Sequence, residues 1–277
     1  MSIDIIEILK AVFLGIVEGI TEWLPISSTG HMLLVDEFLQ LNTSEGFKEV
    51  FFVLIQLGAI LAVILLFWKK MLPLENNNGI KIKKNTVSLW IKVALACVPG
   101  AIVTLLFDDF IEEHFHTPLV IASTLIFYGL AFILVEHLSK NRTFKTTELE
   151  MISYKEALII GLFQVLSIVP GTSRSGATII GALIIGVSRA AAAEFTFFLA
   201  VPVMFGLSLL KLLMMDFAFT AEEIAILIVG CITAFAVSLA VVKFFMSYIK
   251  KKDFKAFGVY RIVIGIVVLV YFSLISK

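Results

Sequence analysis

The sequence predicts an all-α integral membrane protein, with six transmembrane helices and two re-entrant helical hairpins arranged as inverted-topology repeats. Three observations support this prediction. Of the 277 residues, 60% are hydrophobic and 16% are charged, which is too little charge to cover a soluble domain of this length. Apolar runs of about 20 residues, the length that crosses a bilayer, recur along the chain. These runs lack the apolar–polar alternation of a membrane β-barrel.

Charge and cysteine content argue against several other classes of protein. Basic and acidic residues both number 22, so no electrostatic attraction to nucleic acid is expected. Cys97 and Cys231 lie inside apolar runs, which favours core packing over a metal or redox site. Asp4 and Glu7 lie at the start of the first apolar stretch, where a signal peptide has basic residues instead. This stretch is therefore not expected to be a cleavable signal.

Six apolar stretches are long enough to cross a bilayer, whereas two others are interrupted. The interrupted stretches are Ile5–Leu34, broken at Pro25, and Lys155–Val187, broken at VPGTSRSG (Val169–Gly176). Each half of the second stretch has about 14 residues, roughly 20 Å as a helix, which is too short to cross. The predicted spans are Phe47–Trp68, Val87–Phe107, Pro118–Leu138, Ala193–Met215, Glu223–Phe245 and Phe257–Ser276.

The segments between the spans predict the orientation of the chain. Basic residues follow the first, third and fifth spans, whereas Asp108–His116 and Asp216–Glu223 contain neither Lys nor Arg. Cytoplasmic loops of membrane proteins carry an excess of Lys and Arg, so the basic loops are expected inside and the acidic ones outside. The basic residues are Lys69, Lys70, Lys81, Lys83 and Lys84, then Lys140, Arg142 and Lys145, then Lys250, Lys251, Lys252 and Lys255.

This alternation of sides predicts that each interrupted stretch enters and leaves the membrane on one side. Lys155–Val187 follows a cytoplasmic loop and precedes Arg189, which is also expected inside. Ile5–Leu34 would enter from the outside, unless its first half spans alone. The chain is therefore divided into a first repeat at 1–138 and a second repeat at 155–277. Each is a hairpin plus three spans, and both belong to a single membrane domain.

An internal similarity supports this division into repeats. At a shift of 146 residues four identities align the halves, Glu18 falls on Gln164, and Phe51–Phe52 falls on Phe197–Phe198. With the matching order of hairpin and spans, this pattern favours repeats of opposite topology. Chance similarity between apolar helices is the alternative. The identities pair Ala11, Gly15, Ser27 and Gly30 with Ala157, Gly161, Ser173 and Gly176.

The two breaks have a composition typical of anion-binding sites. PISSTGH and PGTSRSG both run from Pro through Ser and Thr to Gly and into a new helix. Non-helical backbone at membrane depth must face protein or a water-filled cavity. Free N–H groups at helix starts attract anions, and Arg174 adds a planar cation suited to phosphate. The candidate substrate-binding residues are Ser27, Thr29, Gly30, Thr172, Ser173, Arg174, Ser175, Gly176 and Thr178.

Acidic residues precede the first break. Glu18 and Glu22 lie one helical turn apart and so share a face. The pair suits a divalent metal, Mg²⁺ or Ca²⁺, or one metal ligand plus one general base. A structural pair neutralised by Arg174 is the alternative, as is ordinary helix packing for the small and hydroxyl residues of the breaks. His31 follows the first break and is expected to reach the same cavity.

The two halves are chemically unequal at the breaks. The first half has Ser28 and His31 where the second has Arg174 and Ala177. One copy thus carries acid, base and nucleophile candidates, and the other carries the cation. A reactive site for an anionic substrate needs this division, whereas a pore or a symmetric packing motif does not.

These segments resemble those of a known family. EGITEWLPISSTGH (Glu18–His31) and PGTSRSGATI (Pro170–Ile179) are similar to the two signature segments of the bacterial undecaprenyl-diphosphate phosphatases of the bacitracin-resistance type. The likeness extends over nearly the whole chain; the basic insert Lys69–Lys84 is its least familiar part, and no role is attached to it. The resemblance implies hydrolysis of undecaprenyl diphosphate to the monophosphate and inorganic phosphate, which recycles the lipid carrier of cell-wall synthesis. It also implies bacitracin resistance, a divalent metal, and a plasma (inner) membrane site that opens toward the outer face.

The resemblance also implies roles for individual residues. Glu18 and Glu22 would serve metal binding and acid–base chemistry, and Ser28 and His31 would be the reacting pair. Whether Ser28, His31 or a metal-bound water attacks phosphorus stays open. The expected partners are the polyprenyl diphosphate lipid and the bilayer, with no nucleic acid, and a homodimer is left open. The diphosphate would be held by Ser173, Arg174 and Thr178.

Two other functions compete with this interpretation. Inverted repeats with broken helices are typical of transporters, so the chain would alternatively move an anionic lipid or a phosphate-bearing solute. In that case Glu18 and Glu22 would form an ion-coupling site. A lipid phosphatase of the acid-phosphatase type is the second competitor, because STGH faintly resembles its Pro-Ser-Gly-His element. The flanking basic and Arg-His-Asp elements of that type are absent from the sequence.

Overall fold

The computed structural model describes residues 4–44, 46–76, 80–215 and 218–275. Asp216 and Ser276, at which predicted elements begin and end, lie outside these residues. Within the described residues the regular secondary structure is helical apart from one two-stranded antiparallel hairpin, β1 (Leu74–Asn76) and β2 (Ile80–Ile82). The helices are α1 (Ile5–Thr21), α2 (Ser28–Phe38), α3 (Phe47–Met71), α4 (Lys84–Phe115), α5 (Pro118–Leu138), α6 (Tyr154–Val165), α7 (Arg174–Ile185), α8 (Arg189–Met214), α9 (Ala221–Ile249) and α10 (Lys255–Ile275).

The six predicted spans are confirmed as helices that are long and apolar enough to cross a membrane. They correspond to α3, α4, α5, α8, α9 and α10. One boundary differs clearly from the prediction, because α4 continues to Phe115 and takes up most of the acidic segment that was predicted as a loop. Once a helix is nucleated, each further residue adds a backbone hydrogen bond at little cost. The polar end of α4 therefore stays helical beyond its apolar part.

The first helix separates an apolar outer stripe from an interior face. Ile6, Leu9, Phe13 and Ile16 are exposed at helical spacing, as expected of a surface that faces lipid. The opposite face buries small and polar residues, among them Glu18. This segregation directs the carboxylate of Glu18 toward the interior of the molecule.

The two helix pairs α1–α2 and α6–α7 each return to the end at which they began. Glu7 in the first turn of α1 accepts a hydrogen bond from the backbone N–H of Asn42 (2.9 Å), which lies beyond the end of α2. In the second pair, Thr146 precedes α6 and donates to Glu156 in its first turn (2.7 Å). The carbonyl of Thr146 also accepts from the N–H of Ser188, beyond the end of α7 (2.8 Å). The chain thus enters and leaves each pair at one place.

The packing of the helices relates the first half of the chain to the second. Helix α1 packs on α9, and the corresponding helix α6 packs on α4, while α3 packs on α8 and α5 on α10. Glycines at matching positions permit the two corresponding contacts. A Cβ added at Gly15 would lie 2.7 Å from the carbonyl oxygen of Gly230, and one at Gly161 would lie 2.3 Å from that of Ala96. Small residues of this kind allow membrane helices to approach closely.

Candidate active site

Each helix pair is interrupted by a break with the same unusual backbone. Ser27 and Ser173, which correspond at the shift of 146, are the residues other than glycine with positive φ in the described chain, at 76° and 72°. Each serine caps the next helix, because its side chain accepts from the N–H of Gly30 (3.3 Å) or of Gly176 (3.1 Å). Left-handed serine is uncommon and strained, and such strain concentrates at functional sites.

A cavity of about 550 Å³ lies between the two breaks and helices α3, α4 and α8. The two breaks and Glu22 contribute polar groups to its wall, and α4 and α8 contribute most of the apolar surface. Among the predicted site residues, those that line the cavity are Glu22, Ser27, Ser28, Thr29, Ser173 and Arg174. Additional polar lining comes from Gln56, Thr104, Gln164 and Ser167.

Glu22 joins the two breaks through its carboxylate. Arg174 donates from Nη2 to Glu22 Oε1 at 2.8 Å, and Ser28 donates from Oγ to Glu22 Oε2 at 2.5 Å. The glutamate side chain is 8% exposed and that of the arginine 12%. A partly buried, charge-assisted cluster of this kind is held more firmly than a surface ion pair. One carboxylate therefore orients both the cation and the hydroxyl that face the cavity.

Arg174 is also fixed from the opposite side. Its Nη1 donates to the backbone carbonyl of Thr196 in α8 at 3.1 Å. The hydroxyls of Thr178 and Thr196 are hydrogen bonded to each other at 2.8 Å, and Thr178 donates to the carbonyl of Arg174 at 2.9 Å. Thr178 thus supports the backbone beneath Arg174 and is not among the residues that line the cavity. Gly30, Thr172, Ser175 and Gly176 also lie outside the lining.

His31 is buried against α10, away from the cavity lining. Its Nδ1 lies 2.7 Å from the carbonyl oxygen of Ser27, and its Nε2 lies 2.7 Å from the hydroxyl of Tyr260. Because a carbonyl can only accept, Nδ1 carries the hydrogen and Nε2 of the neutral ring accepts from Tyr260. The structure therefore does not join His31 to Ser28, whose hydroxyl is bonded to Glu22. In this arrangement His31 supports the strained backbone of Ser27.

Glu18 and Glu22 are the two predicted metal ligands. No group of three or more His, Cys, Asp or Glu side chains able to hold a metal ion occurs among the described residues. Glu18 lies one turn before Glu22 and is fully buried, and its Oε1 has no hydrogen-bond partner there. Mg²⁺ in phosphate chemistry is commonly held by one or two carboxylates plus water and substrate oxygens. Glu18 does not line the cavity, but together with Glu22 it supplies the two carboxylates that a site of that kind uses.

Arg261 in α10 is a component of the site that the sequence did not reveal. It is fully buried and donates to the carbonyl of Pro25 in the first break (3.1 Å) and to those of Gly171 (2.8 Å) and Thr172 (2.9 Å) in the second. No carboxylate lies within ion-pair distance of it in the described chain. Its charge and its fork of donors therefore tie the two breaks together. The only feature of the sequence that could have indicated a role for Arg261 is its position near one end of an apolar span.

The chain is similar to known proteins over nearly its whole length. The family model described as bacitracin resistance protein BacA matches residues 11–267. A protein of Enterococcus faecalis named undecaprenyl-diphosphatase is 66% identical over 271 residues, covering 97% of this chain and 98% of its own. Proteins of the same name from Lachnoclostridium phytofermentans and Acetivibrio thermocellus are 59% and 56% identical. They cover 98% and 96% of this chain and 99% and 98% of their own.

Proposed function

Because this chain belongs to the bacitracin resistance protein BacA family, it is an undecaprenyl-diphosphatase, and we propose that the cavity between the two breaks is where it acts. The reaction converts undecaprenyl diphosphate to undecaprenyl phosphate and inorganic phosphate. The released carrier would return to cell-wall synthesis, and bacitracin resistance would follow from that activity. The observation that carries the assignment of the site is the carboxylate of Glu22, bonded to both Arg174 and Ser28.

The terminal phosphate is the group that Arg174 is suited to bind. A guanidinium binds phosphate oxygens with two parallel N–H donors. In the structure one of its terminal nitrogens is bonded to Glu22 and the other to the carbonyl of Thr196. An incoming diphosphate would compete with Glu22 for this cation. Arg174 would then stabilise the charge that develops on the phosphoryl oxygens in the transition state.

Ser28 is the residue best placed to react. Its hydroxyl is 2.5 Å from the carboxylate of Glu22 and lies at the cavity wall. Once Arg174 has turned to the phosphate, Oε2 of Glu22 would take the Ser28 proton while the serine oxygen attacks the terminal phosphorus, and Oε1 would be left for the cation. The phosphorus–oxygen bond to the lipid monophosphate breaks, and water later releases the phosphate from Ser28. The strained backbone of Ser27, supported by His31, would fix the direction of the Ser28 side chain.

Glu18 and Glu22 would hold a divalent cation, Mg²⁺ or Ca²⁺, when the substrate is bound. The cation would offset the negative charge of the diphosphate and polarise its oxygens. The unpartnered Oε1 of buried Glu18 supports this assignment, because a buried carboxylate oxygen without a partner is costly. The N–H groups at the starts of α2 and α7 would add donors for the remaining phosphate oxygens.

The lipid tail would follow the apolar wall of the cavity. That wall is formed by α4, α8 and the residue just before the second break, and includes Leu105, Ile168, Val203, Leu207 and Leu210. A long polyprenyl chain can thus stay in the membrane while its diphosphate reaches the polar end. This division matches the amphipathic substrate better than a uniformly polar pocket would.

Filling the cavity tests where the reaction takes place. A Cβ added at Gly206 meets no atom within 4 Å, so Gly206→Leu is expected to fold normally and project into the cavity. Phosphate release from undecaprenyl diphosphate should fall roughly tenfold or more, because substrate positioning is lost, while the smaller Gly206→Ala stays near wild type. Equal activity of Gly206→Leu and wild type, at unchanged thermal stability in detergent, would place the reaction elsewhere.

The two helix pairs are proposed to be re-entrant hairpins of inverted repeats, with the site open toward the outer face. The contacts between the start and end of each pair support the assignment as re-entrant hairpins. The opening toward the outer face is supported by the position of the cavity. Its lining residues begin near the middle of α4 and α8 and continue away from the basic starts of these helices at Lys84 and Arg189. The positive-inside rule puts those starts in the cytoplasm.

Cysteine labelling tests this orientation. Cysteines at Glu113 and Asn42 should react with an impermeant thiol reagent added to intact cells, because both positions are exposed at the proposed outer ends. Cysteines at Lys83 and Lys251 should react only after permeabilisation. The reverse pattern would refute the orientation, and labelling of Asp4 and Asn42 from opposite sides would refute the first re-entrant hairpin.

A further inference from the structure

The basic segment between α3 and α4 contains a two-stranded ribbon, β1–β2, with two different faces. Strands β1 and β2 pair with Leu74 opposite Ile82 and Glu75 opposite Lys81. Directly opposed residues of an antiparallel pair project from the same face. One face of the ribbon therefore carries Leu74 and Ile82, and the other carries Glu75 and Lys81.

The two apolar side chains described on this face of the ribbon are exposed. Leu74 is 45% exposed and Ile82 is 67% exposed. An isolated two-stranded hairpin is marginally stable at best in water and needs another surface against its apolar face. The backbone hydrogen bond from Lys83 N–H to the carbonyl of Pro73 (2.8 Å) extends the ladder toward the helices but covers neither side chain.

The ribbon lies at the adjoining ends of α3 and α4, two helices that are long and apolar enough to span a membrane. Trp68, in the last turn of α3, is 53% exposed, and tryptophan is enriched at the membrane–water boundary. The indole of Trp90 in α4 donates to the carbonyl of Met71 at 2.9 Å, which fixes the two helix ends next to each other.

The charge of the segment identifies its partner. Between positions 69 and 84 the sequence has five lysines and one glutamate. Lys70 is paired with Glu194 at 2.7 Å, whereas Lys69, Lys81 and Lys84 are exposed. Polybasic segments next to a span attract anionic lipids of the cytoplasmic leaflet. A protein partner would need an acidic surface able to approach within the headgroup layer, whereas an anionic bilayer is already there.

We propose that the β1–β2 ribbon is a lipid-binding element that inserts Leu74 and Ile82 into the membrane surface and contacts anionic headgroups through the neighbouring lysines. This proposal rests on the proposed orientation of α3 and α4 and is independent of the reaction in the cavity. The ribbon would anchor the cytoplasmic ends of α3 and α4, which both contribute to the cavity wall, to a particular lipid surface.

Photo-crosslinking identifies the occupant of this face directly. The photoreactive residue p-benzoylphenylalanine is placed at Leu74, at Ile82 or, on the opposite face, at Lys81 in the full-length protein. The protein is reconstituted in nanodiscs of phosphatidylcholine and phosphatidylglycerol and irradiated, and the adducts are identified by intact mass. Positions 74 and 82 should give lipid adducts, with phosphatidylglycerol enriched about 3-fold over its share of the bilayer because of the local positive charge.

Two matched variants test the contribution of charge. Lys81→Gln with Lys84→Gln should remove the enrichment, whereas Lys250→Gln with Lys251→Gln, the same charge change in another basic loop, should leave it intact. Three results overturn the proposal: absence of lipid adducts at 74 and 82, adducts that follow the bulk lipid ratio, or adducts to a second protein copy. Because phosphate release is not the readout, failure of the proposed reaction would leave this result unaffected.

Discussion

Replacing Arg174 with lysine is expected to lower phosphate release from undecaprenyl diphosphate by about 10²-fold or more, because a clamp on the transition state is lost. Lysine keeps the positive charge but has a single nitrogen. Arg174 uses two nitrogens, one on Glu22 and the other on the carbonyl of Thr196. The loss should fall mainly on kcat, since geometry at the reacting phosphate is affected more than attraction of the anion.

Arg189 provides the control for this substitution. It also makes a multidentate pair with a buried glutamate, donating from Nε to Glu136 at 2.8 Å, but it lies at the start of α8 and does not line the cavity. Arg189→Lys should therefore lower thermal stability in detergent while kcat stays within a few-fold of wild type. If Arg174→Lys retains near-normal kcat, the residue is structural and the proposed clamp is wrong.

Ser28→Ala is expected to abolish turnover, by about 10³-fold or more, because the reacting oxygen itself is removed. Affinity for the diphosphate lipid should change little, since Arg174 and the helix starts remain. The measurements are single-turnover phosphate release and equilibrium binding of the same substrate. Ser238→Ala removes a buried hydroxyl that donates to the carbonyl of Gly19 and should keep full turnover.

Comparing Ser28→Ala with His31→Ala shows which group attacks the phosphorus. Ser28 and His31 have different hydrogen-bond partners in the structure. Ser28 donates to Glu22, whereas His31 is bonded to Ser27 and Tyr260. Tyr260→Phe should accordingly reproduce part of the defect of His31→Ala, because both loosen the support of the first break. Substantial hydrolysis by Ser28→Ala, together with an inactive His31→Ala, would contradict attack by Ser28.

The spans and the breaks were predictable because each is a local property of the sequence. Long apolar runs specify helices of bilayer length, and proline followed by serine and glycine specifies an interruption and a new cap. Approach of Glu22 to Arg174 was also foreseeable, because the predicted repeats of opposite topology would bring the two breaks together. That pairing spans 152 positions in sequence and is present at 2.8 Å.

The finer contacts were not predictable, because they depend on how each helix is rotated about its axis. His31 and Ser28 lie three positions apart on one helix, yet His31 turns toward α10 and Ser28 toward the cavity. Arg261 and Pro25 are 236 residues apart, and no local motif marks that contact. The ribbon between α3 and α4 was missed because three-residue strands leave too short a pattern for periodicity to detect.

Phosphate release by purified protein, with and without a chelator, tests most directly whether the cluster around Glu22 cleaves a polyprenyl diphosphate. We expect wild-type protein to release one phosphate per undecaprenyl diphosphate, the chelator to stop the reaction, and added Mg²⁺ or Ca²⁺ to restore it. Glu22→Gln, which is nearly isosteric, should be severely impaired even with excess metal. Absence of phosphate release by wild type, or release at the wild-type rate by Glu22→Gln, would contradict the account.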